Sequence, residues 1–229
     1  AEAWIKQTGY PVVHAQIVHE KESSILNLKQ ERFTYDHLLT NLEADETLWP
    51  ITLRISSSSA KTSDVQLFDN KEGSLNFAFH TDWLKANGGQ TGFFRVAYSA
   101  EEWKRLIGAV KSKKLSAIDR LSLQDDVYAL MRAGYVSATE FFELASAYDS
   151  ESNATVLSDF ASNLKGLDSL LWDQDSSSMF NNFARARFTK AAQKSGWDAK
   201  EGEGHLDALF RSTAVGQAGS YGDDSVINE

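Results

Sequence analysis

The apolar residues in the first part of the chain recur with a period of two. From Pro11 to about Tyr98, segments such as 50–55 and 75–80 alternate apolar with polar positions, which is typical of strands with one buried face. Turn-forming residues separate these segments at 56–59, 69–73 and 87–89. Six or so short strands in succession, with no helical run between them, predict a small antiparallel β-sandwich.

The period changes after Tyr98. Three Ser residues are each followed three positions later by an acidic residue, which is the spacing of a helix N-terminal capping box. The three pairs are Ser99 with Glu102, Ser116 with Asp119, and Ser137 with Glu140. Apolar residues at helical spacing follow these pairs, so the pattern places the change from strands to helices near residue 98.

The second part of the chain predicts about six helices with short connections, which should pair antiparallel and stack. Gly134 marks the end of one helix, and residues 223–225 open a last one. The predicted fold class is β then α. It combines a β-sandwich domain over 1–98 with a partial helical array, a truncated helix-pair solenoid, over 99–229. An array without a polar terminal cap should leave apolar surface unburied, here over 206–215.

Composition and charge exclude several classes of partner. The 229 residues are 42% hydrophobic and carry 23 basic against 32 acidic side chains, a net charge of -9. Phosphate backbones and anionic lipids would be repelled, so we expect neither nucleic acid nor a membrane as a partner. The absence of cysteine excludes disulfides and thiolate chemistry, and it favours the cytoplasm as the compartment. No targeting segment or membrane-spanning window is evident.

One segment imitates the HExxH zinc signature. His19 and Glu20 match its first two positions, but Ser23 stands where the second His ligand is required. The segment also lies among predicted strands, whereas the signature needs a helix. We therefore predict a solvated hairpin connection here.

Three further sets of residues have a chemical and a structural interpretation, and we favour the structural one for each. Glu203, His205 and Asp207 could bind a metal, but residues two apart on a helix do not share a face, so a Gly-rich loop that opens a helix is the better explanation. Two pairs of carboxylates could do acid–base work but are expected to be solvated. These pairs are Asp125 with Asp126 and Asp173 with Asp175.

The tryptophans could form a stacking platform for sugars or bases, but packing is the simpler explanation for most of them. They are Trp4, Trp49, Trp83, Trp103, Trp172 and Trp197. The sequence has no Gly-x-Ser-x-Gly elbow and no phosphate-binding loop. We assign no catalytic, cofactor-binding or metal-binding residue.

Five segments of the chain carry detailed motifs, namely residues 4–13, 28–33, 87–98, 115–126 and 195–209. Together they resemble segments of the zinc aminopeptidases of the gluzincin group, with the puromycin-sensitive type as the best fit. The first resembles the junction between the catalytic domain and the small β-sandwich of that family, and the next two resemble strands of the sandwich. The last two, of which 195–209 matches in most detail, are similar to segments of the helical C-terminal domain.

The resemblance covers essentially the whole chain and implies a non-catalytic, C-terminal fragment. Residues 1–10 would be the tail of a catalytic domain that precedes Ala1, and the helical domain would continue beyond Glu229. The family's HExxH and Gly-x-Met-Glu-Asn motifs are not in this sequence. The implied zinc and the peptide substrates therefore belong to the parent enzyme, and this piece needs no cofactor of its own.

Three hypotheses follow. In the first, the piece bridges domains and walls the substrate chamber of an enzyme that removes N-terminal residues from peptides, with the catalytic domain as its partner. In the second, it is a freestanding helical module that binds peptides or a protein. In the third, His19 supports hydrolysis. Apolar surface over 206–215 further predicts self-association.

Overall fold

The computed structural model describes residues 2–40, 45–59 and 65–229. The chain divides into two compact units, Ala1–Leu144 and Ala145–Glu229. The prediction of β followed by α structure is confirmed, since strands occupy the part before Tyr98 and the longer helices follow it. None of the described helices is long and apolar enough to cross a membrane.

The first unit contains the strands, preceded by helix α1 (Glu2–Lys6). The strands are β1 (Pro11–His19), β2 (Ser24–Arg32), β3 (Ile51–Leu53), β4 (Ser56–Ser57), β5 (Gln66–Phe68), β6 (Glu72–Phe77), β7 (Leu84–Lys85) and β8 (Arg95–Tyr98). They form a four-stranded sheet in the order β6-β2-β1-β8 and two small sheets, β3-β5 and β4-β7. Residues 41–44 and 60–64, part of the predicted sandwich, lie outside the described residues.

The large sheet is mixed, which corrects the prediction of a purely antiparallel one. Strands β1 and β2 pair antiparallel from Pro11 opposite Arg32 to His19 opposite Ser24. Strand β8, however, pairs parallel with β1, with Val12 opposite Arg95. The long connection between β2 and β8 brings the chain back alongside β1 in the same direction, and no local sequence pattern reports such a pairing.

The predicted alternation of buried and exposed positions is confirmed in the strands that carry it. Ile51, Leu53 and Ile55 are buried, and Thr52 and Arg54 between them are exposed. The expected turn at 56–59 is wrong in its first half, because residues 56 and 57 form β4 and pair with β7. The turn at 87–89 is confirmed as a 3-10 turn, Gly88–Gln90, that follows a left-handed Asn87 with φ of 57°.

Three helices complete the first unit, although the last of them ends one residue past it. They are α2 (Ala100–Lys111), α3 (Ala117–Ala133) and α4 (Ala138–Ala145). Strands give way to helices between residues 98 and 100, where the periodicity changes. The domain limits 1–98 and 99–229 stay a prediction.

Two of the three predicted N-terminal caps form. The Ser137 hydroxyl accepts the Glu140 N–H at 3.2 Å, while the Glu140 carboxylate accepts the Ser137 N–H at 2.8 Å. The Ser116 hydroxyl likewise accepts the Asp119 N–H at 3.2 Å. The cap predicted at Ser99 is wrong, because its side chain makes no capping hydrogen bond.

The second unit consists of helices around an aromatic core. Its elements are a 3-10 turn (Ser146–Tyr148), α5 (Ala154–Leu171), α6 (Ser177–Ser195), α7 (His205–Ser220) and α8 (Asp224–Ile227). Helix α7 packs against both α5 and α6. The ring of Phe188 lies 6.0 Å from those of Phe160 and Tyr221, centroid to centroid. Seven helices therefore follow Tyr98 in the described chain, and the last of them begins where residues 223–225 predict a helix start.

Helix α7 buries one face and exposes apolar side chains on another. Phe210, Ala214 and Ala218 are buried, at spacings of four residues. Leu206 and Leu209 are 59% and 38% exposed, which agrees with the expectation of unburied apolar surface in this segment.

Candidate functional site

His19 joins the end of β1 to the first turn of α2. Its Nδ1 lies 2.8 Å from the carbonyl oxygen of Thr81, and its Nε2 contacts Oε1 of Glu102. The side chains of His19 and Glu102 are 11% and 1% exposed. The expected solvated connection is therefore wrong for His19, because a buried carboxylate draws the imidazole inward.

The same contact explains why the Glu102 side chain does not complete a capping box with Ser99. A capping box needs the side chain of the third helical residue to reach back to the cap, and Glu102 instead holds His19 and lies 3.4 Å from Nε of Arg105. Burial raises the pKa of Glu102, and the hydrogen bond with His19 opposes that rise. The arrangement joins a strand to a helix through a buried hydrogen bond.

The donor set around His19 does not fit a zinc ion. Both ring nitrogens already contact protein oxygens, and zinc needs a ring nitrogen with a free lone pair. Ser23 hydrogen-bonds Glu20, so neither of these side chains is turned toward His19 as a second ligand. Among the residues that the structure describes, no group of three or more His, Cys, Asp and Glu side chains could hold a metal ion.

Lys85 lies at the centre of a buried polar cluster in the first unit. Its side chain is 2% exposed, and its ammonium group donates to the carbonyl oxygen of Asn87 at 2.8 Å and contacts Asp119 Oδ1 at 3.2 Å. Asp119 Oδ1 also accepts the N–H of Gly89 at 2.7 Å. Burial lowers the pKa of Lys85, and the attraction to Asp119 and Asp126 opposes that effect.

Asp126 extends this cluster to β8. Its Oδ1 lies 3.1 Å from Nη1 of Arg95, and its Oδ2 accepts the N–H of Val96 at 3.2 Å. Burial raises its pKa to about 6, although Arg95 and Lys85 oppose the rise. The prediction that Asp125 and Asp126 are both solvated is therefore wrong for Asp126, whereas the Asp125 side chain is 48% exposed.

The acidic residues around His205 have structural roles, as predicted. Asp207 Oδ2 accepts the N–H of Gly204 at 3.1 Å at the start of α7, where a helix stabilises negative charge. Glu203 accepts the N–H of Lys200 at 3.0 Å and pairs with Arg211. These contacts close the Gly-rich loop onto α7.

The second carboxylate pair and the tryptophans differ in how far they are buried. Asp173 and Asp175 are exposed, as predicted. Packing is confirmed for Trp49, Trp83 and Trp103, which are at most 7% exposed. Trp172 and Trp197 are 75% and 47% exposed, and Trp4 is half-buried.

Each unit has an open cavity. The larger one, about 770 Å³, lies on the large sheet and is lined by polar side chains that include His14, Asn27, Lys29 and Glu72. Lys29 and Glu72, which both line the cavity, lie 3.8 Å apart, and the lining residue His14 lies 3.0 Å from Glu31. One cavity of the second unit, of about 340 Å³, is lined by charged residues of the Gly-rich loop and by Phe210. Both surfaces can hydrogen-bond a polar ligand.

The buried ionic groups are what sequence reasoning missed, and two of them carry a local signal. Asp126 lies three residues after Leu123 and four before Leu130, both buried, so it shares their face of α3. Lys85 stands in an apolar run between Leu84 and Ala86. An ionisable residue within an apolar stripe predicts a buried, paired charge.

Comparison with known proteins places the chain in a family. The sequence model of the ERAP1-like C-terminal domain matches residues 83–229. Aminopeptidase M1-A of rice is 32% identical over 99% of this chain, and aminopeptidase M1 of Arabidopsis thaliana is 33% identical over 99%. Puromycin-sensitive aminopeptidase of Caenorhabditis elegans is 29% identical over 67% of it.

These matches cover a small part of each relative. The chain spans 26% of the rice protein, 27% of the Arabidopsis protein and 16% of the nematode protein. The match to the domain model nevertheless covers well over half of this chain and includes all of its longer helices. The chain therefore belongs to the family of the ERAP1-like C-terminal domain.

Proposed function

We propose that this chain is the non-catalytic C-terminal region of a zinc-dependent aminopeptidase that removes N-terminal residues from peptides. The observation that carries the proposal is the similarity along 99% of the chain to aminopeptidases about four times as long. The zinc belongs to the catalytic domain of that enzyme, with the HExxH motif. The donor set around His19 supports this placement, since it does not fit the metal.

In this proposal the chain bridges domains and walls the substrate chamber. The strands contact the catalytic domain, and the helices limit which peptides reach it. The buried side-chain contacts of β1 with α2 and of α3 with β8 suit such a role, because they fix helices to strands within the first unit. The partners are the catalytic domain and, through it, peptide substrates, and the expected compartment is the cytoplasm.

An assay of the purified chain tests the absence of catalysis. With zinc and an aminoacyl-chromophore substrate, the chain should show no turnover above buffer, while Arabidopsis aminopeptidase M1 serves as the positive control. Zinc-dependent turnover that is abolished by His19→Ala would contradict the proposal. An Asp173→Asn variant, altered at an exposed carboxylate, controls for the effect of substitution as such.

A chimaera tests the supporting role. The segment of the Arabidopsis enzyme that matches this chain is replaced by it, and cleavage of a dipeptide substrate is compared with that of a ten-residue peptide. We expect the chimaera to cleave both, with a changed ratio of the two kcat/KM values. A chimaera with the same ratio as the parent enzyme would argue against a role of this region in selecting peptides.

A second candidate function is a freestanding module that binds peptides or a protein through its helices. The exposed Leu206 and Leu209 on α7 favour it, because apolar side chains at a surface mark contact sites. Calorimetric titration with unstructured peptides should detect binding that Leu206→Ser weakens. We also propose self-association through Leu206 and Leu209, for which sedimentation should show a concentration-dependent mass.

A further inference from the structure

Arg95 lies between two carboxylates that differ in their access to water. Its Nη1 is 2.9 Å from Oδ2 of Asp125 and 3.1 Å from Oδ1 of Asp126. The Asp125 side chain is 48% exposed and that of Asp126 is 5% exposed. One guanidinium group is therefore shared by a solvated and a buried partner that are adjacent on α3.

Asp126 also holds the backbone of β8, which is an outer strand of the large sheet. Its Oδ2 accepts the N–H of Val96, and it thus supplies the acceptor that a further strand would supply at this edge of the sheet. A cavity of about 260 Å³ reaches the pair, and Tyr10, Phe93, Arg95, Asp125 and Asp126 are among its lining residues. Solvent protons can therefore reach the buried carboxylate.

We propose that Asp126 is a proton-sensitive clamp, which binds both Arg95 and the Val96 N–H when ionised and releases Arg95 to Asp125 when protonated. The proton comes from solvent and adds to one carboxylate oxygen. Val96 keeps an acceptor, since a neutral carboxyl group retains its carbonyl oxygen. Arg95 keeps a carboxylate, since Asp125 is the more solvated of its two partners. The exchange loosens the contact between α3 and β8 without leaving a buried charge unpaired.

The charges around Asp126 set the pH at which the clamp opens. Burial raises its pKa to about 6 from an ordinary value of 3.8, and the positive charges of Arg95 and Lys85 oppose the rise. Asp125 adds to the rise through like-charge repulsion. The ionisable groups that act on this cluster from β7, β8, α3 and α2 are Lys85, Arg95, Tyr98, Asp119, Asp125 and Glu102. Arg95 should therefore move from Asp126 to Asp125 as the pH falls from neutral to mildly acidic.

Carboxyl-carbon NMR titration of the 229-residue chain tests the clamp, with the Arg95 side-chain nitrogen signals followed in the same samples. We expect the Asp126 carboxyl signal to titrate near pH 6 and the Arg95 signals to shift with the same midpoint. Asp125→Asn, at an exposed position, should lower the Asp126 midpoint by about half a pH unit or more, because a neighbouring negative charge is removed. Asp173→Asn removes the same charge from the second unit and should leave the midpoint in place.

Three results would overturn the proposal. The first is an Asp126 midpoint near 4, and the second is a set of Arg95 signals that do not respond as Asp126 titrates. The third is a midpoint that Asp125→Asn leaves unmoved. Asp126→Asn identifies the Asp126 signal by its loss, and through-bond correlation of each carboxyl carbon with the assigned backbone supplies the assignment if that variant fails to fold.

Discussion

The side-chain amide of Gln30 pairs with the backbone of Trp49 as a neighbouring strand would. Its Oε1 accepts the Trp49 N–H at 2.9 Å, and its Nε2 donates to the Trp49 carbonyl at 3.1 Å and to the Asn70 carbonyl at 3.0 Å. Gln30 and Trp49 are each 1% exposed. One buried side chain therefore satisfies three backbone groups, two at Trp49 just before β3 and one at Asn70 just after β5.

Gln30→Met should destabilise the first unit by about 3 kcal/mol, because a residue of similar volume leaves these buried backbone groups without partners. Urea unfolding followed by tryptophan fluorescence measures the change. Gln16→Met, at an exposed position on the neighbouring β1, is the matched control and should stay within about 0.5 kcal/mol of the wild type. Equal effects of the two substitutions would contradict the assigned role.

Glu102→Ala should also be strongly destabilising. The substitution leaves the inward-facing His19 without its carboxylate, and breaking a buried pair from one side costs about 3 kcal/mol. The adjacent Glu101 is exposed, so Glu101→Ala should cost less than about 0.5 kcal/mol. A double mutant with His19→Ala should lose less than the sum of the single losses, and strict additivity would show that the two side chains do not interact.

Local order was predictable from the sequence because its determinants are close together along the chain. The alternation in β3 and the cap at Ser137 each depend on residues no more than a few positions apart, and both agree with the structure. Ser99 and Glu102 have the same local spacing, but the Glu102 side chain does not complete a capping box because it bonds His19, 83 positions away. The spacing of Ser99 and Glu102 cannot show that the distant His19 competes for the Glu102 side chain.

The candidate site was harder to predict for the same reason. The parallel pairing of β1 with β8 joins segments more than eighty residues apart, and the contact of Lys85 with Asp119 joins β7 to α3. From sequence alone, a charged side chain is expected at the surface because most charged side chains in proteins are exposed. The apolar neighbours of Asp126 and Lys85 in the sequence were the only local indication that these two side chains are buried.

The contrast between two serine caps gives a third prediction. Ser137→Ala should cost about 1 kcal/mol, since the Glu140 N–H loses its acceptor. Ser99→Ala should cost only a few tenths of a kcal/mol, because the Ser99 side chain makes no capping hydrogen bond. Thermal unfolding of the two variants under one set of conditions compares them directly. A larger loss for Ser99→Ala would mean that α2 is capped by its hydroxyl after all.

Gly134 and Gly108 should respond to alanine in opposite directions. Gly134 ends α3 with φ of 85°, and an added Cβ would lie 2.7 Å from side-chain atoms of Leu38. Gly134→Ala should therefore cost about 1 kcal/mol or more. Gly108 lies inside α2 with nothing within 4 Å of an added Cβ, so Gly108→Ala should stabilise the fold by about 0.5–1 kcal/mol. Stabilisation by Gly134→Ala in urea unfolding would exclude the left-handed end of α3.

Asp45 should make the stability of the first unit depend on acid pH. Its carboxylate accepts from Nε of Arg32 at 2.7 Å and from the N–H of Thr47 at 2.9 Å. The hydrogen bond from Arg32, followed by those from Thr47, lowers the pKa of Asp45 to about 2 from 3.8. A carboxyl group whose pKa is lower in the folded state contributes stability above its unfolded pKa, and loses it as the pH falls through the folded one.

Asp45→Asn should therefore destabilise the fold by about 1–2 kcal/mol at pH 6, a value reduced for the partial exposure of the pair. The difference from the wild type should shrink between about pH 4 and pH 2, because protonation removes the same charge from the wild-type side chain. Urea unfolding at intervals of half a pH unit measures it, and Asp36→Asn, at an exposed carboxylate, provides the baseline for general acid destabilisation. A difference that stays constant down to pH 2 would show that the charge of Asp45 contributes nothing to folding.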